Sequence, residues 1–319
     1  MCKIKKSLIL ASVLVLFGLL LFCFTACTVK GDLSQLGGGQ YETATHNINE
    51  DFDSILMNTD TADIVILRAT DGKSKVVCHE HSQLKHTVVV KDGVLTIEET
   101  DTRKWYHYIN IGVEKTEITV YLADGEYSEL NINENTGNID VAYGLTFDSV
   151  SINLSTGDTE FEASVKNALT IKAGTGDVSV EEAGVGSLSI MVTTGDVEIS
   201  EVNCAGDIFV KVSSGKTEIE DVVCKSFTTE GSTGDIVFEN LIASAKLSIT
   251  RGTGDVCFEA CDAAEIEIST STGDVVGTLL SEKIFVVSSG SGKIKVPETL
   301  SGGKCKITTS TGDVKITIK

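Results

Sequence analysis

Leu169-Thr170-Ile171-Lys172-Ala173-Gly174-Thr175-Gly176-Asp177-Val178-Ser179-Val180 is followed by Leu188-Ser189-Ile190-Met191-Val192-Thr193-Thr194-Gly195-Asp196-Val197-Glu198-Ile199. The two stretches are one phrase written twice, 19 residues apart. Reading outward, the phrase recurs around Gly137, Gly157, Gly176, Gly195, Gly215, Gly234, Gly254, Gly273, Gly292 and Gly312, always at a spacing of 19 or 20. A fixed period of that length is the mark of a repeat architecture. Seven residues before the glycine stand Leu130, Val150, Leu169 and Leu188 in the first four copies, and five before it Ile132, Ile152, Ile171 and Ile190. Two and four residues after it stand Val178 and Val180, then Val197 and Ile199. Apolar residues two apart, mostly β-branched, are the pattern of strands with one buried face. Each copy therefore reads as strand, glycine turn, strand and corner.

Two topologies share that rhythm. In an antiparallel meander the Gly-Asp pair would close a hairpin. In a parallel β-solenoid each copy is one coil and like residues stack on like. A meander of some twenty strands would have to curl or split, whereas a solenoid grows by burying each rung on the next. The expected fold is all-β, a parallel β-solenoid of about ten rungs of 19–20 residues. At about 4.8 Å per rung it is a rod roughly 48 Å long. The residue before each glycine is always Ser or Thr, which suits stacked hydroxyls. The residue after it reads Asn138, Asp158, Asp177, Asp196, Lys216, Asp235, Asp255, Asp274, Lys293 and Asp313. Stacked carboxylates repel by about 1 kcal/mol per pair in water. Acceptance of turn N–H groups would offset that, and a calcium ladder is the alternative.

The chain has 319 residues and a net charge of -20, with 30 Gly, a single Pro (Pro297), and Arg only at positions 68, 103 and 251. Such acidity argues against a nucleic-acid partner. Lys3, Lys5 and Lys6 precede an uncharged apolar run, Ser7 to Ala26, long enough to cross a bilayer as a helix. Basic residues before the run and an acidic body after it place the bulk of the chain outside the cytoplasm. Residues 1–27 are thus expected to form a membrane anchor. Phe24-Thr25-Ala26-Cys27 offers an alternative, a lipobox with Cys27 lipidated, and a cleaved secretory signal is the third. Residues 28–40, with Gly37-Gly38-Gly39, read as a flexible tether. Residues 41–125 read as an irregular β cap on the N-terminal end, and residues 126–319 as the repeats. Within the cap, Asp92-Gly93 between Thr87-Val88-Val89-Val90 and Val94-Leu95-Thr96-Ile97 is a hairpin signal. Lys304, Lys306, Lys315 and Lys319 are expected to guard the last strands against edge pairing.

The Thr-Gly-Asp array, the lead-in Thr119-Val120-Tyr121-Leu122 with Tyr127, and the segments Asp60-Thr61-Ala62-Asp63-Ile64, Arg103-Lys104-Trp105-Tyr106 and Asp262-Ala263-Ala264-Glu265 resemble a bacterial β-strand-repeat family. It is known as domain of unknown function family 4097, its members also labelled adhesins. The resemblance covers roughly residues 41–319. It implies a right-handed β-solenoid outside the membrane and carries over no catalytic residue. Ala123 stands where the family usually has Pro.

Candidate chemistry is sparse. Cys78, His79, His81 and His86 form the one cluster with metal-ligand character. On a strand His79 and His81 share a face and Cys78 points away, so a solvated edge strand with one buried thiol is the plainer expectation, and no cofactor is expected. Cys204 and Cys224 lie one repeat apart, close enough for a disulfide, although small core residues are the simpler account. Trp105, Tyr106 and Tyr108 read as cap packing before a glycan-binding patch. Arg251 is the one basic group to name if the scaffold were glycan-active. Gly290-Ser291-Gly292-Lys293 belongs to the repeat and is no phosphate loop. The expectation is a non-enzymatic, membrane-anchored extracytoplasmic solenoid acting as adhesin or surface scaffold, toward a cell-surface glycan or protein. An envelope-stress accessory contacting a membrane partner, or a glycan-active enzyme, are the alternatives.

Overall fold

The computed structural model describes residues 41–101 and 115–319, and all regular structure among them is strand. The anchor and tether readings, Cys27 included, lie outside those residues, as do Trp105, Tyr106 and Tyr108. In the first repeat, β8 (Glu126–Thr136) runs to the turn at Gly137, and β9 (Ile139–Val141) follows it. The chain then turns back into the next long strand, Thr146–Thr156. Long strands stack on long strands and short on short, parallel and in register. Val150 lies between Leu130 and Leu169, and Phe161 between Val141 and Val180. The parallel register decides for the solenoid over the meander. Two sheets result, and the alternating side chains of both meet in one core. Leu169, Ile171, Val178 and Val180 are buried, as are their counterparts in neighbouring rungs. Each such side chain contributes about 1.5–3 kcal/mol by leaving water.

The turn explains the invariant glycine. Gly195 has φ of 144°, and a Cβ there would stand 2.0 Å from the carbonyl oxygen of Gly176 in the rung beneath. No L-residue fits. The corner after the short strand is left-handed without glycine: Glu182, Glu201, Asp221, Asn240 and Ala260 share φ between 48° and 54°.

Both ends depart from chain order. Among the described residues seven strands precede β8: β1 (Tyr41–Asn47), β2 (Ser54–Thr61), β3 (Asp63–Arg68), β4 (Lys75–His81), β5 (Leu84–Lys91), β6 (Val94–Asp101) and β7 (Glu117–Leu122). β2 and β3 form a rung of their own, with Thr61-Ala62-Asp63 in the place of Thr-Gly-Asp. This rung lies between β8/β9 and a further rung made of β6 and β7. The antiparallel strands β1, β4 and β5 cover that end. The expected hairpin is present, with Lys91 paired to Val94 and positive φ at Asp92 and Gly93, the requirement of a two-residue turn. At the other end the Gly312 rung is inserted between the Gly273 and Gly292 rungs. The edge of the stack is therefore the Gly292 rung, Lys283–Ser291 and Ile294–Lys295, and not the last strands of the chain. This corrects the expectation for Lys304, Lys306 and Lys315, whose strands are interior to the sheets. Ile284, Val286 and Ile294 are exposed on the true end rung.

Candidate functional site

The aspartate column is a clamp between rungs. Asp177 N–H donates to Asp158 Oδ1 at 2.8 Å, Asp196 N–H to Asp177 Oδ1 at 2.7 Å, and Lys216 N–H to Asp196 Oδ1 at 2.7 Å. The pattern resumes from Asp235 through Asp255 and Asp274 to Asp313. Asp63 does the same for Asn138 at 2.9 Å, which marks β2/β3 as a true rung. Each carboxylate thus satisfies an amide of the following rung, where a donor in its own turn was expected. Such charge-assisted bonds offset the repulsion between stacked carboxylates.

The outer faces of the two sheets differ in chemistry. The short-strand face carries Asp140 and Glu160 on adjacent rungs, Ser179 on the next, then Glu198, then Glu218 and Glu220 together on one strand. Partial burial, and then the neighbouring carboxylates, push Asp140, Glu160, Glu198 and Glu220 above the ordinary carboxylate range. The long-strand face carries amides, hydroxyls and a few cations. Asn133 Nδ2 donates to Asn58 Oδ1 at 2.9 Å, and Asn153 Nδ2 to Asn133 Oδ1 at 3.0 Å. Lys172, Met191 and Lys211 continue that row on the next rungs. Together they line an open groove of about 1050 Å³ that crosses the six rungs from Asn58 to Lys211 and ends on Asp60 and Glu99. Its polar groups are spaced by the rung repeat, so it suits an extended polymer better than a compact substrate.

Beneath the groove's N-terminal end lies buried ionic chemistry. Glu134 accepts the Thr59 hydroxyl on Oε2 and the Asn135 and Thr136 N–H groups at 3.1 Å on Oε1. Burial pushes its carboxyl up to about 7, with a further contribution from Glu99. In the cap, Cys78 and Glu80 point inward from β4 and His86 inward from β5. Their donor atoms all lie within 4.8 Å of one another, the one such group among the described residues. His79 and His81 sit on the opposite face of β4. Both pack on the Tyr41 ring, with centroids 5.5 and 5.4 Å away. The sequence cluster is thus split, His86 staying with Cys78. Glu80 completes the group, a residue that the sequence cluster of cysteine and histidines does not include. The strand alternation that turns the histidines out was the signal that turns it in.

Arg251 is buried in the core rather than offered to a substrate. Its Nη1 donates to Val212 O at 3.1 Å and its Nη2 to Thr217 Oγ1 at 3.2 Å. Gly231 in the rung beneath provides the room: a Cβ there would stand 2.0 Å from Nη1. Burial lowers the guanidinium pKa, with Asp235 opposing. Cys204 and Cys224 are buried free thiols, like Cys78, Cys261 and Cys305.

Stacked in-register coils, a turn glycine that admits no Cβ and one continuous two-sheet core define a two-sheeted parallel β-solenoid. The chain belongs to the family described as Toastrack DUF4097, whose pattern it matches over residues 52–208 and 203–319. Solved structures similar to it include a "putative lipid binding protein" from Parabacteroides distasonis, at 17% identity and a TM-score of 0.49, covering 75% of this chain and 95% of that one. A "putative adhesin" from the same species has 14% identity and a TM-score of 0.44, covering 86% and 98%. Another from Bacteroides fragilis has 15% identity and a TM-score of 0.40, covering 87% and 97%. No curated protein matches the chain.

Proposed function

We propose that this protein is a non-enzymatic, membrane-anchored, extracytoplasmic solenoid that serves as an adhesive or scaffolding surface, and that its binding face is the outer face of the long strands. The observation that carries this reading is the groove along Asn58, Asn133, Asn153, Lys172, Met191 and Lys211. Amide and hydroxyl groups repeated at rung spacing match the repeated hydroxyls of a glycan or the backbone of an extended peptide. Each contact contributes about 1 kcal/mol net. Several engaged at once give useful avidity without any single strong subsite. The opposite, acidic face repels anionic polymers and so directs them to this one. Burial of Arg251 inside the core supports a binding role over glycan cleavage. The adhesin description of the similar structures points the same way without deciding it.

The bulk of the chain then lies outside the cell, held at the membrane through residues 1–27. Metabolic labelling with a lipid precursor tests the lipoprotein anchor: incorporation lost in Cys27→Ser indicates a lipoprotein, and without incorporation the N-terminal sequence of the mature protein separates a retained helix from a cleaved signal. For the binding face, cells displaying the full chain are compared with cells displaying Lys172→Ala/Met191→Ala/Lys211→Ala. All three positions are exposed, so folding is retained. The proposal expects attachment to glycan-coated or cell-coated surfaces to fall at least several-fold; equal attachment by the variant removes the groove from consideration.

A further inference from the structure

We propose that the N-terminal cap holds a transition-metal ion of the zinc type, ligated by Cys78, Glu80 and His86, with Glu99 orienting the imidazole from its far side.

The placement follows from the strands. Cys78 and Glu80 are alternate inward residues of β4. A tight turn at Ser82 and Gln83 carries the chain from β4 in one sheet to β5 in the other, and His86 is an inward residue of β5. The three therefore face one another across the corner that closes the core, where an aliphatic residue would serve packing equally well. All three are buried, with 0%, 3% and 5% of their surface exposed. His86 Nδ1 lies 2.9 Å from Glu80 Oε2, and its backbone N–H donates to the same oxygen at 2.7 Å. His86 Nε2 is buried without a hydrogen bond, and Glu99 Oε2 stands 3.7 Å away. Glu99 is the residue directly opposite His86 across the β5–β6 pair. It is itself held by the Asp60 and Thr61 N–H groups at 3.2 and 3.1 Å.

Charge is the physical difficulty that an ion resolves. Two buried carboxylates, Glu80 and Glu99, share one imidazole, and the nearby Lys85 is divided between Glu80 and the exposed Glu42. Buried carboxylates without matching cations are costly. A divalent ion with one thiolate and one carboxylate is neutral. The donor set selects the metal: sulfur, imidazole nitrogen and carboxylate oxygen together suit zinc, whereas calcium and magnesium take oxygen ligands. Zinc-to-ligand lengths of about 2.0–2.3 Å put one ion within reach of three donors that already lie within 4.8 Å of one another. Glu99 then plays the carboxylate that fixes the tautomer of a metal-bound histidine. On binding, the Cys78 S–H bond breaks and a sulfur–metal bond forms; that proton, and any on His86 Nδ1, leaves to solvent. No electron is transferred.

The test uses the full chain, stripped with a chelator and titrated with zinc or cobalt(II). About one equivalent of zinc should bind and raise the melting temperature by several degrees. Cobalt should give the thiolate-to-metal charge-transfer band of a sulfur ligand. Cys78→Ser should abolish that band and Glu80→Gln should weaken binding at least tenfold. Glu99→Gln should cost 10- to 100-fold in affinity. The outward-facing control His81→Ala should leave the stoichiometry and the band unchanged. Absence of both the thermal shift and the band in the wild-type chain overturns the proposal, whatever the variants do. So does a band that survives in Cys78→Ser, or loss of the site in His81→Ala with Glu80→Gln unaffected. Should Cys78→Ser not fold, the affinities of Glu80→Gln and Glu99→Gln decide alone, and wild-type affinity in both rejects the site.

Discussion

At Gly195 the space for a methyl group is occupied by the carbonyl oxygen of the rung beneath. Gly195→Ala is therefore expected to cost at least about 3 kcal/mol, because backbone strain and a backbone clash act together. Urea unfolding measures it, and a loss under 1 kcal/mol would mean that the rungs can separate locally at little cost. The neighbouring Asp177 makes a weaker but more diagnostic test. Removal of its carboxylate leaves the Asp196 N–H without its 2.7 Å partner, so Asp177→Ala should lose about 1–2 kcal/mol and Asp177→Asn distinctly less. The glycine and the aspartate were both legible from spacing alone. The identity of the amide that each aspartate caps was not, since it belongs to the next coil and not to its own turn. Glu134 was illegible for a related reason. It occupies a position filled by Leu154, Ala173 and Val192 in the following rungs, and burial raises its carboxyl to about 7. Because that folded value lies above the unfolded one, its favourable contribution is complete below about pH 4.5 and is lost as pH rises through 7. Glu134→Gln should thus stabilise the protein by about 2 kcal/mol at pH 8 and leave it unchanged at pH 4, as measured by urea unfolding at the two pH values.

Among the elements, the insertion of the Gly312 rung between the Gly273 and Gly292 rungs reverses the usual expectation for a chain terminus. Gly303–Thr311 is paired on both sides, whereas Lys283–Ser291 is paired on one side. Native-state hydrogen exchange should accordingly find the amides of 303–318 more protected than those of 283–295, although they are nearer the end of the chain. The opposite order would contradict the strand order described above. Periodicity could not reveal this. Every copy carries the same alternation and so is equally able to stack on any other; the chain skips one rung position between Leu279 and Lys283 and returns to fill it through residues 296–302. The same limit applies at the front. β2 and β3 lack the turn glycine, Ala62 taking its place, so the sequence presents them as irregular strands while they pair as a full rung.

Over the whole molecule, the acidic short-strand face sets the response to pH and salt. Asp140, Glu160, Glu198 and Glu220 hold their protons to higher pH in the folded state than in the unfolded chain. Stability from these groups is therefore greatest below their unfolded values and falls as pH rises through the folded ones. The melting temperature should be higher at pH 5.5 than at pH 8. Burial is the larger cause and the neighbouring carboxylates the smaller, so salt at about 0.5 M should narrow the difference only in part, by screening the repulsion between these partly exposed charges. A melting temperature that rises with pH would show that another set of groups dominates.

Sequence alone determined that this chain repeats strand, glycine turn and strand every 19 or 20 residues, and it favoured a stack of coils, because a solenoid buries an apolar period of two more economically than a meander of some twenty strands. It also determined where the turns fall, since a left-handed, carbonyl-crowded position admits only glycine. What the tertiary structure decided was everything that depends on which coil neighbours which. The order of the end rungs, the partners of the aspartate column, the burial of Arg251 over Gly231 and the meeting of Cys78, Glu80 and His86 across a corner belong to that class. These are contacts between positions far apart in the chain or on different sheets, and a period describes each coil without saying what lies beside it.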